Sequence, residues 1–477
     1  MTVRPILVLL LAGSALSACN LAPKYVRPSG AVPTALPEGG VYPRAATDAP
    51  DVTAIGWRDF FTDDRLRQVI QLGLDNNRDL RVAAANVLQA RAQYRVQRAD
   101  ILPSISANGS ATYTNSLGAA GGAGGAGAAG GGSSTDIQYF QANVGFSAFE
   151  LDLFGRLRNL SKAALEQYFA TEEAQRTTRI SLISEIATAW LTLASDQEQL
   201  RLSQSTLKTF EQTLELTRAQ FRIGVASELE SRQAETNYQA ARNDIATLQT
   251  RVAQDQNALN LLAGTTVSAD LLPAALGEGR VTRDALPANL SSEVLLRRTD
   301  VLQAEHQLIA QNANIGAARA AFFPRISLTA ALGTISSGLT GLFGAGTGTY
   351  NVAPSVALPL FDAGRNKGNL DYAKASQKAA VATYEKTIQT AFREVADALA
   401  QRGTIDEQVS AQTARANAAQ VAAKLSDARY RAGVDSFLVA LDAQRTAYGA
   451  EQQLVTTRTT RSSNLIELYR ALGGGLQ

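Results

Sequence analysis

Two hydrophobic patterns alternate along this chain, and each occurs twice. After Pro103 the period is two: Ile105, Ala107, Gly109, Ala111 and Tyr113 interleave with Ser106, Asn108, Ser110, Thr112 and Thr114. Phe140, Ala142, Val144, Phe146 and Ala148 resume the alternation. Ile326, Leu328, Ala330 and Leu332 do the same further on, and Tyr350, Val352, Val356, Leu358 and Leu360 share one face after them. These runs predict two β-hairpins, over 104–151 and 325–361. The long stretches that follow have helical composition. From about Asn159 to Arg222 there is no Pro and no Gly, and from about Leu370 to Arg431 only Gly403 interrupts. Ala, Leu, Gln, Glu and Arg dominate, and all favour helix. A helix of about 64 residues spans about 95 Å. Gly224 and Gly433 end the two runs, and Ser227 and Ser436 stand where the N-caps of returning helices belong. The return runs reach about Ala263 and Leu472, each followed by Gly.

The recurrence is a duplication. Phe221-Arg222-Ile223-Gly224-Val225 returns as Tyr430-Arg431-Ala432-Gly433-Val434, shifted by 209 residues, from 224 to 433. Gly155-Arg156 returns as Gly364-Arg365 at the same shift, and the register holds without gaps to Gly264 and Gly473. Long packed helices require this, because a one-residue slip rotates the buried face away. The copies differ at the hairpins. The first holds Gly118 to Gly132, a run of Gly and Ala only, expected as a flexible outer loop, and the second gains Asp362 and Ala363. The organisation expected is a segment 19–60, a first repeat over 61–264, a linker over 265–290 and a second repeat over 291–477.

Composition narrows the possibilities. The chain has 477 residues, with 45 Lys plus Arg against 43 Asp plus Glu and a net charge of +2, which gives no basic face for nucleic acid. It holds one His, one Met and one Cys, too few for a soft-metal or imidazole site. The lone His306 has no partner His or Cys nearby in sequence, and no phosphate loop or nucleophile elbow occurs, so no enzyme is expected.

The start of the chain reads as an export signal over 1–18. Arg4 precedes an apolar stretch from Ile6 to Leu16, too short to span a bilayer. Leu16-Ser17-Ala18-Cys19 resembles the bacterial lipobox, which implies acylation of Cys19 by N-acyl and diacylglyceryl chains, with no other cofactor. Asn20 in place of Asp then implies sorting to the outer membrane. Prolines at 23, 28, 33, 37, 43 and 50 predict an extended strap rather than a helix. Export and anchoring favour membrane strands over soluble hairpins. Four strands cannot close alone, and an open edge is not tolerated in lipid. Two copies would supply eight strands and three would supply twelve; an aqueous channel favours three or more.

Several segments, in their order, resemble one family. They include Pro23-Lys24-Tyr25-Val26-Arg27-Pro28, Trp57-Arg58-Asp59-Phe60-Phe61 and Leu151-Asp152-Leu153-Phe154-Gly155-Arg156. Leu295-Leu296-Arg297-Arg298-Thr299-Asp300, Phe322-Phe323-Pro324-Arg325-Ile326-Ser327 and Leu441-Asp442-Ala443-Gln444-Arg445 complete the set. The chain resembles the outer membrane factors of Gram-negative bacteria, the TolC-like channels, in their lipoprotein branch. Thr299 departs from the Pro common there.

The resemblance implies a mostly α fold with a membrane β-barrel. Its homotrimer would form a 12-strand barrel above a 12-helix periplasmic tunnel. Its function would be passive export of drugs or other small molecules, received from a periplasmic adaptor and an inner-membrane pump that is proton-driven. Type I protein secretion and metal-ion efflux are the alternatives within the family. A trimeric adhesin would instead gather its strands at the C-terminus. By position, Ile223, Gly224, Val225, Ala432, Gly433 and Val434 would dock the adaptor. Glu230 and Arg429 would pair to hold the tips shut, with Tyr430 in their network. Leu438 would form an apolar ring, and Asp435 and Asp442 acidic rings.

Overall fold

The computed structural model describes residues 20–43, 55–117, 134–276, 281–283 and 291–474. Cys19, the signal segment and the Gly118–Gly132 run lie outside these. Helices α1 (Trp57–Phe60), α2 (Asp64–Asn76) and α3 (Arg78–Ala99) lead into strands β1 (Ser106–Leu117) and β2 (Ser134–Leu151). Then come α4 (Arg156–Arg222) and α5 (Glu228–Ala263). The second half runs α6 (Thr299–Ala320), β3 (Arg325–Ser336), β4 (Gly348–Ala357), α7 (Arg365–Arg431) and α8 (Phe437–Ala471). Both α4 and α7 have 67 residues, and they start a few residues before the positions that Gly and Pro counting suggests. The reason is capping from upstream. Asp152 accepts from the Arg158 N–H at 2.8 Å, and Asp362 accepts from the Gly364 and Asn366 N–H groups at 2.9 Å. No described helix is long and apolar enough to cross a membrane.

The four strands make one antiparallel sheet in the order β1-β2-β3-β4. The two hairpins are joined through β2 and β3, with Val144 opposite Leu332 and Phe140 opposite Ser336. β2 is long, with 18 residues, and carries a bulge between Phe146 and Phe149. There Ala148 has φ of 52° and its N–H donates to Thr329 Oγ1 at 3.0 Å, which offsets part of the cost of that backbone. The second hairpin is shorter than expected. β4 ends at Ala357, so Leu358 and Leu360 lie beyond the strand. Pro359 has no N–H to continue the ladder, and the inserted Ala363 and the following Gly364 both take positive φ, 53° and 86°.

The chain divides into two compact units, each built from both halves of the sequence. One comprises residues 1–27, 88–169 and 306–381; the other comprises 28–87, 170–305 and 382–477. The first holds the sheet and an Ala-rich contact of Ala163, Ala310 and Ala313. Its sole His306 places Nδ1 2.7 Å from Glu166 Oε2, so it is a structural partner of that carboxylate. The second unit holds the aromatic core. Phe60 stacks on Tyr469 at 4.0 Å, and the Tyr469 hydroxyl donates to the Ile55 carbonyl. Arg298, only 6% exposed, is satisfied by Asp300, Glu394 and the Ala471 carbonyl.

The expected strap is extended over its described part. Asn20 to Pro43 contains no helix, and its carbonyls are taken by helix side chains. Within the first unit, Asn312 donates to Pro23 and Arg319 to Leu21. Within the second, Gln389 donates to Ala31 and Ser292 to Pro33.

Candidate functional site: two helical turns

The residues singled out by the duplicated motif all fall in the second unit, at the turns α4–α5 and α7–α8. Each turn is a Schellman motif. At the first, Gly224 N–H donates to the Phe221 carbonyl at 3.0 Å and Val225 N–H to Gln220 at 2.9 Å. At the second, Gly433 donates to Tyr430 and Val434 to Arg429, both at 2.9 Å. Gly224 has φ of 76° and Gly433 of 73°, the left-handed conformation this motif requires. A Cβ at either would meet nothing within 4 Å, so within the chain backbone conformation, not crowding, selects glycine.

Around these glycines apolar side chains face outward. Ile223 and Val225 are 74% exposed and Val434 is 62% exposed. Ala432 is exposed as well. Together these side chains leave apolar surface exposed at both turns.

The turns are closed differently. Ser227 forms a capping box with Glu230: the Glu230 N–H donates to Ser227 Oγ and the Ser227 N–H donates to Glu230 Oε2, each at 3.3 Å. Ser436, expected to cap in the same way, makes no side-chain cap. Val439 stands where Glu230 stands in the first copy, so the reciprocal carboxylate is missing. Within the chain Arg429 meets an acid other than the Glu230 that the resemblance implies. The Arg429 guanidinium grips Asp435 in a fork, with Nε to Oδ2 at 2.6 Å and Nη2 to Oδ1 at 2.9 Å. Asp435 lies just across the turn, whereas the Glu230 carboxylate is held by the Ser227 N–H. The Arg429 hydrogen bond holds the Asp435 carboxyl below its ordinary range, and Asp435 raises Arg429 in return.

Tyr430 ties the second turn to the first. Its hydroxyl donates to Gln220 Oε1 at 2.6 Å. Burial raises the Tyr430 phenol, and the nearby Glu230 charge adds to that, so the hydroxyl stays a donor at neutral pH. Beneath it Leu214, Ala234, Phe437 and Leu441 form a buried cluster, with Tyr238 and Tyr430 packed against it. Phe437 points in and Leu438, 60% exposed, points out. Leu438 and Asp442 line one shallow groove together with Ser426 and Val439. Residue reading overlooked Gln220, Phe437 and Leu441. The signal was available, since Gln220 is the first-copy counterpart of Arg429.

Two 67-residue helices with apolar turns stand beside a four-stranded sheet open at both edges. Comparison with known proteins gives this arrangement its family. The family model "Outer membrane efflux protein" matches residues 69–265 and 290–474. The toluene efflux pump outer membrane protein TtgC of Pseudomonas putida is 46% identical over 463 residues, covering 96% of this chain and 93% of TtgC. The cation efflux system protein CusC of Escherichia coli O157:H7 is 40% identical over 473 residues, 97% of each chain. The crystal structure of a membrane protein from Pseudomonas aeruginosa superposes with a TM-score of 0.88 at 39% identity, covering 96% of this chain and 98% of that one. The chain belongs to the outer membrane efflux protein family and is an outer-membrane efflux channel.

Proposed function

We propose that the chain is the exit duct of a tripartite efflux system, working as a homotrimer. The observation that carries this is the open-edged sheet: β1 and β4 each have one unpaired side, which lipid does not tolerate. Four strands from each of three copies give a closed barrel of twelve. Acyl chains on Cys19 would anchor each copy. The exposed Ile223, Val225 and Val434 suit an apolar, hairpin-shaped adaptor surface, with Gly224, Ala432 and Gly433 shaping the turns. An inner-membrane pump, proton-driven in this reading, supplies the energy and chooses the substrate, and the duct conducts drugs or other small molecules passively.

The gate in this proposal is the second turn. Arg429–Asp435 and Tyr430–Gln220 hold it closed, Leu438 narrows the passage, and Asp442 with its symmetry mates biases it toward cations. Glu230 acts through the first turn's cap and on Tyr430. A solvent-exposed ion pair contributes little by itself, so the gate works by combining several contacts. Arg429→Ala with Tyr430→Phe is expected to raise single-channel conductance in planar bilayers severalfold. Unchanged conductance would remove the gate from these residues.

A further inference from the structure

The two strand-to-helix junctions start from one sequence and diverge in charge. In the first, β2 runs into α4, and both cations there are neutralised. Arg156 makes a two-pronged contact with Glu150, at 2.8 and 2.7 Å, and Arg158 pairs with Asp152 at 3.3 Å. In the second, β4 runs into α7, and Arg365 and Lys367 are the counterparts of Arg156 and Arg158. Allowing for the inserted Asp362 and Ala363, Ala357 stands where Glu150 stands and Pro359 where Asp152 stands. Both acids are therefore gone while both cations remain, exposed. Asp362 is in electrostatic contact with Arg365, but its two oxygens already accept from the Gly364 and Asn366 N–H groups.

The surroundings of these cations are apolar. Leu360 is 89% exposed and Phe361 90% exposed, directly before the turn. The Asn366 side chain donates to the Ala321 carbonyl at 3.2 Å, which sets Arg365 and Lys367 beside the α6–β3 junction with its exposed Phe322 and Phe323. A third exposed cation, Arg325, opens β3 opposite Ala357. The described chain begins at the same level: Leu21 accepts from Arg319, in the last turn of α6. Cys19 is covalently next to Asn20, so its acyl chains would enter the membrane here. Aromatic side chains beside cations are the chemistry of a membrane interface, where rings sit among headgroups and Lys or Arg meets phosphate.

We propose that Arg365 and Lys367, flanked by Leu360 and Phe361, form a seat for the headgroup phosphate of an anionic phospholipid. The apolar pair covers the upper acyl segment and the guanidinium takes the phosphate oxygens. The first junction has no such seat, because Glu150 and Asp152 occupy its cations. The inference rests on the proposed membrane barrel, with this junction at the membrane's inner face.

The test uses full-length, acylated protein inserted into nanodiscs of equal phosphatidylglycerol and phosphatidylcholine, with retained lipids counted by native mass spectrometry. The wild type is expected to retain phosphatidylglycerol in preference, by about fivefold for each cation engaged. Arg365→Gln with Lys367→Gln should bring retention to parity. Lys374→Gln with Lys378→Gln removes the same charge further along α7 and should leave the preference intact. Ala357→Glu restores an acid at the position of Glu150 and should weaken the preference without touching the cations. Protein that fails to insert overturns the barrel reading. Protein that inserts with no wild-type preference, an equal loss in the Lys374/Lys378 variant, or an Ala357→Glu variant that binds as before overturns the seat alone.

Discussion

The turn at Gly224 is closed by its own return helix, whereas the turn at Gly433 is closed by an ion pair and a neighbour. The two turns share Schellman backbone geometry, so the difference lies in the side chains around them. Gln220, Phe221, Ala226 and Glu230 in the first copy are Arg429, Tyr430, Asp435 and Val439 in the second. The first set makes a capping box, which is local to the backbone and moves with the helix. The second makes an exposed fork and one phenol hydrogen bond to the other helical hairpin. Contacts between hairpins break when hairpins separate; contacts inside one do not. The duplicated motif thus yields one turn closed within its own hairpin and one whose closure includes a bond to the other hairpin.

The largest expected effect comes from the packing under the second turn. Phe437 is 2% exposed, and Phe437→Ala should cost about 3 kcal/mol locally. Limited proteolysis should then cut near Gly433 well before Gly224; equal cutting at both would break the comparison. A smaller effect tests the caps. Ser227→Ala should destabilise the first turn by about 1 kcal/mol, whereas Ser436→Ala should change little, because only Ser227 accepts a backbone N–H. Amide exchange of the first turn of α5 and of α8 in the two variants measures this, and equal losses would refute the asymmetry.

The smallest effect tests the same contrast lower in the hairpins. Asp196 on α4 and Asp255 on α5 are neighbouring carboxyls; burial raises both, and the Asp196 charge adds to Asp255. The second copy has Ile405 and Asn464 there, and the Asn464 amide donates to the Ala398 carbonyl and to Gln401. A raised carboxyl binds its proton more tightly in the folded state than in the unfolded one. Its contribution favours the fold below the ordinary value of 3.8 and is lost as pH rises through the raised value. Asp255→Asn should therefore raise Tm at pH 7, on the order of 1 °C because the site is partly solvated, and the gain should shrink toward pH 4. A gain independent of pH would point to packing alone.

Much of this was legible in residue order. Missing Gly and Pro gave the long helices, period two gave the hairpins, and Gly224 and Gly433 gave the turns. These features are set by local backbone preference, which sequence carries directly. The pairing of β2 with β3 was not legible, because Val144 and Leu332 meet only in space. The Arg429–Asp435 fork was not legible for a related reason. Position relative to a family suggested Glu230, while a turn that brings residue 435 back to residue 429 supplies a nearer acid. The Ser436 cap failed on a residue three places away, Val439, which a motif centred on glycine does not weigh.

Gly403 is the only glycine inside α7 besides Gly368 near its start, and a Cβ there would lie 1.8 Å from the Val41 carbonyl oxygen. Gly316 in α6 is likewise filled by Ala22 of the strap. The bed for the first residues to be exported is thus built from residues that arrive hundreds of positions later. Synthesis runs from the N-terminus, so the strap exists before the glycines that make room for it. A chain truncated before Gly403 would therefore keep the strap and lack the place where Val41 fastens.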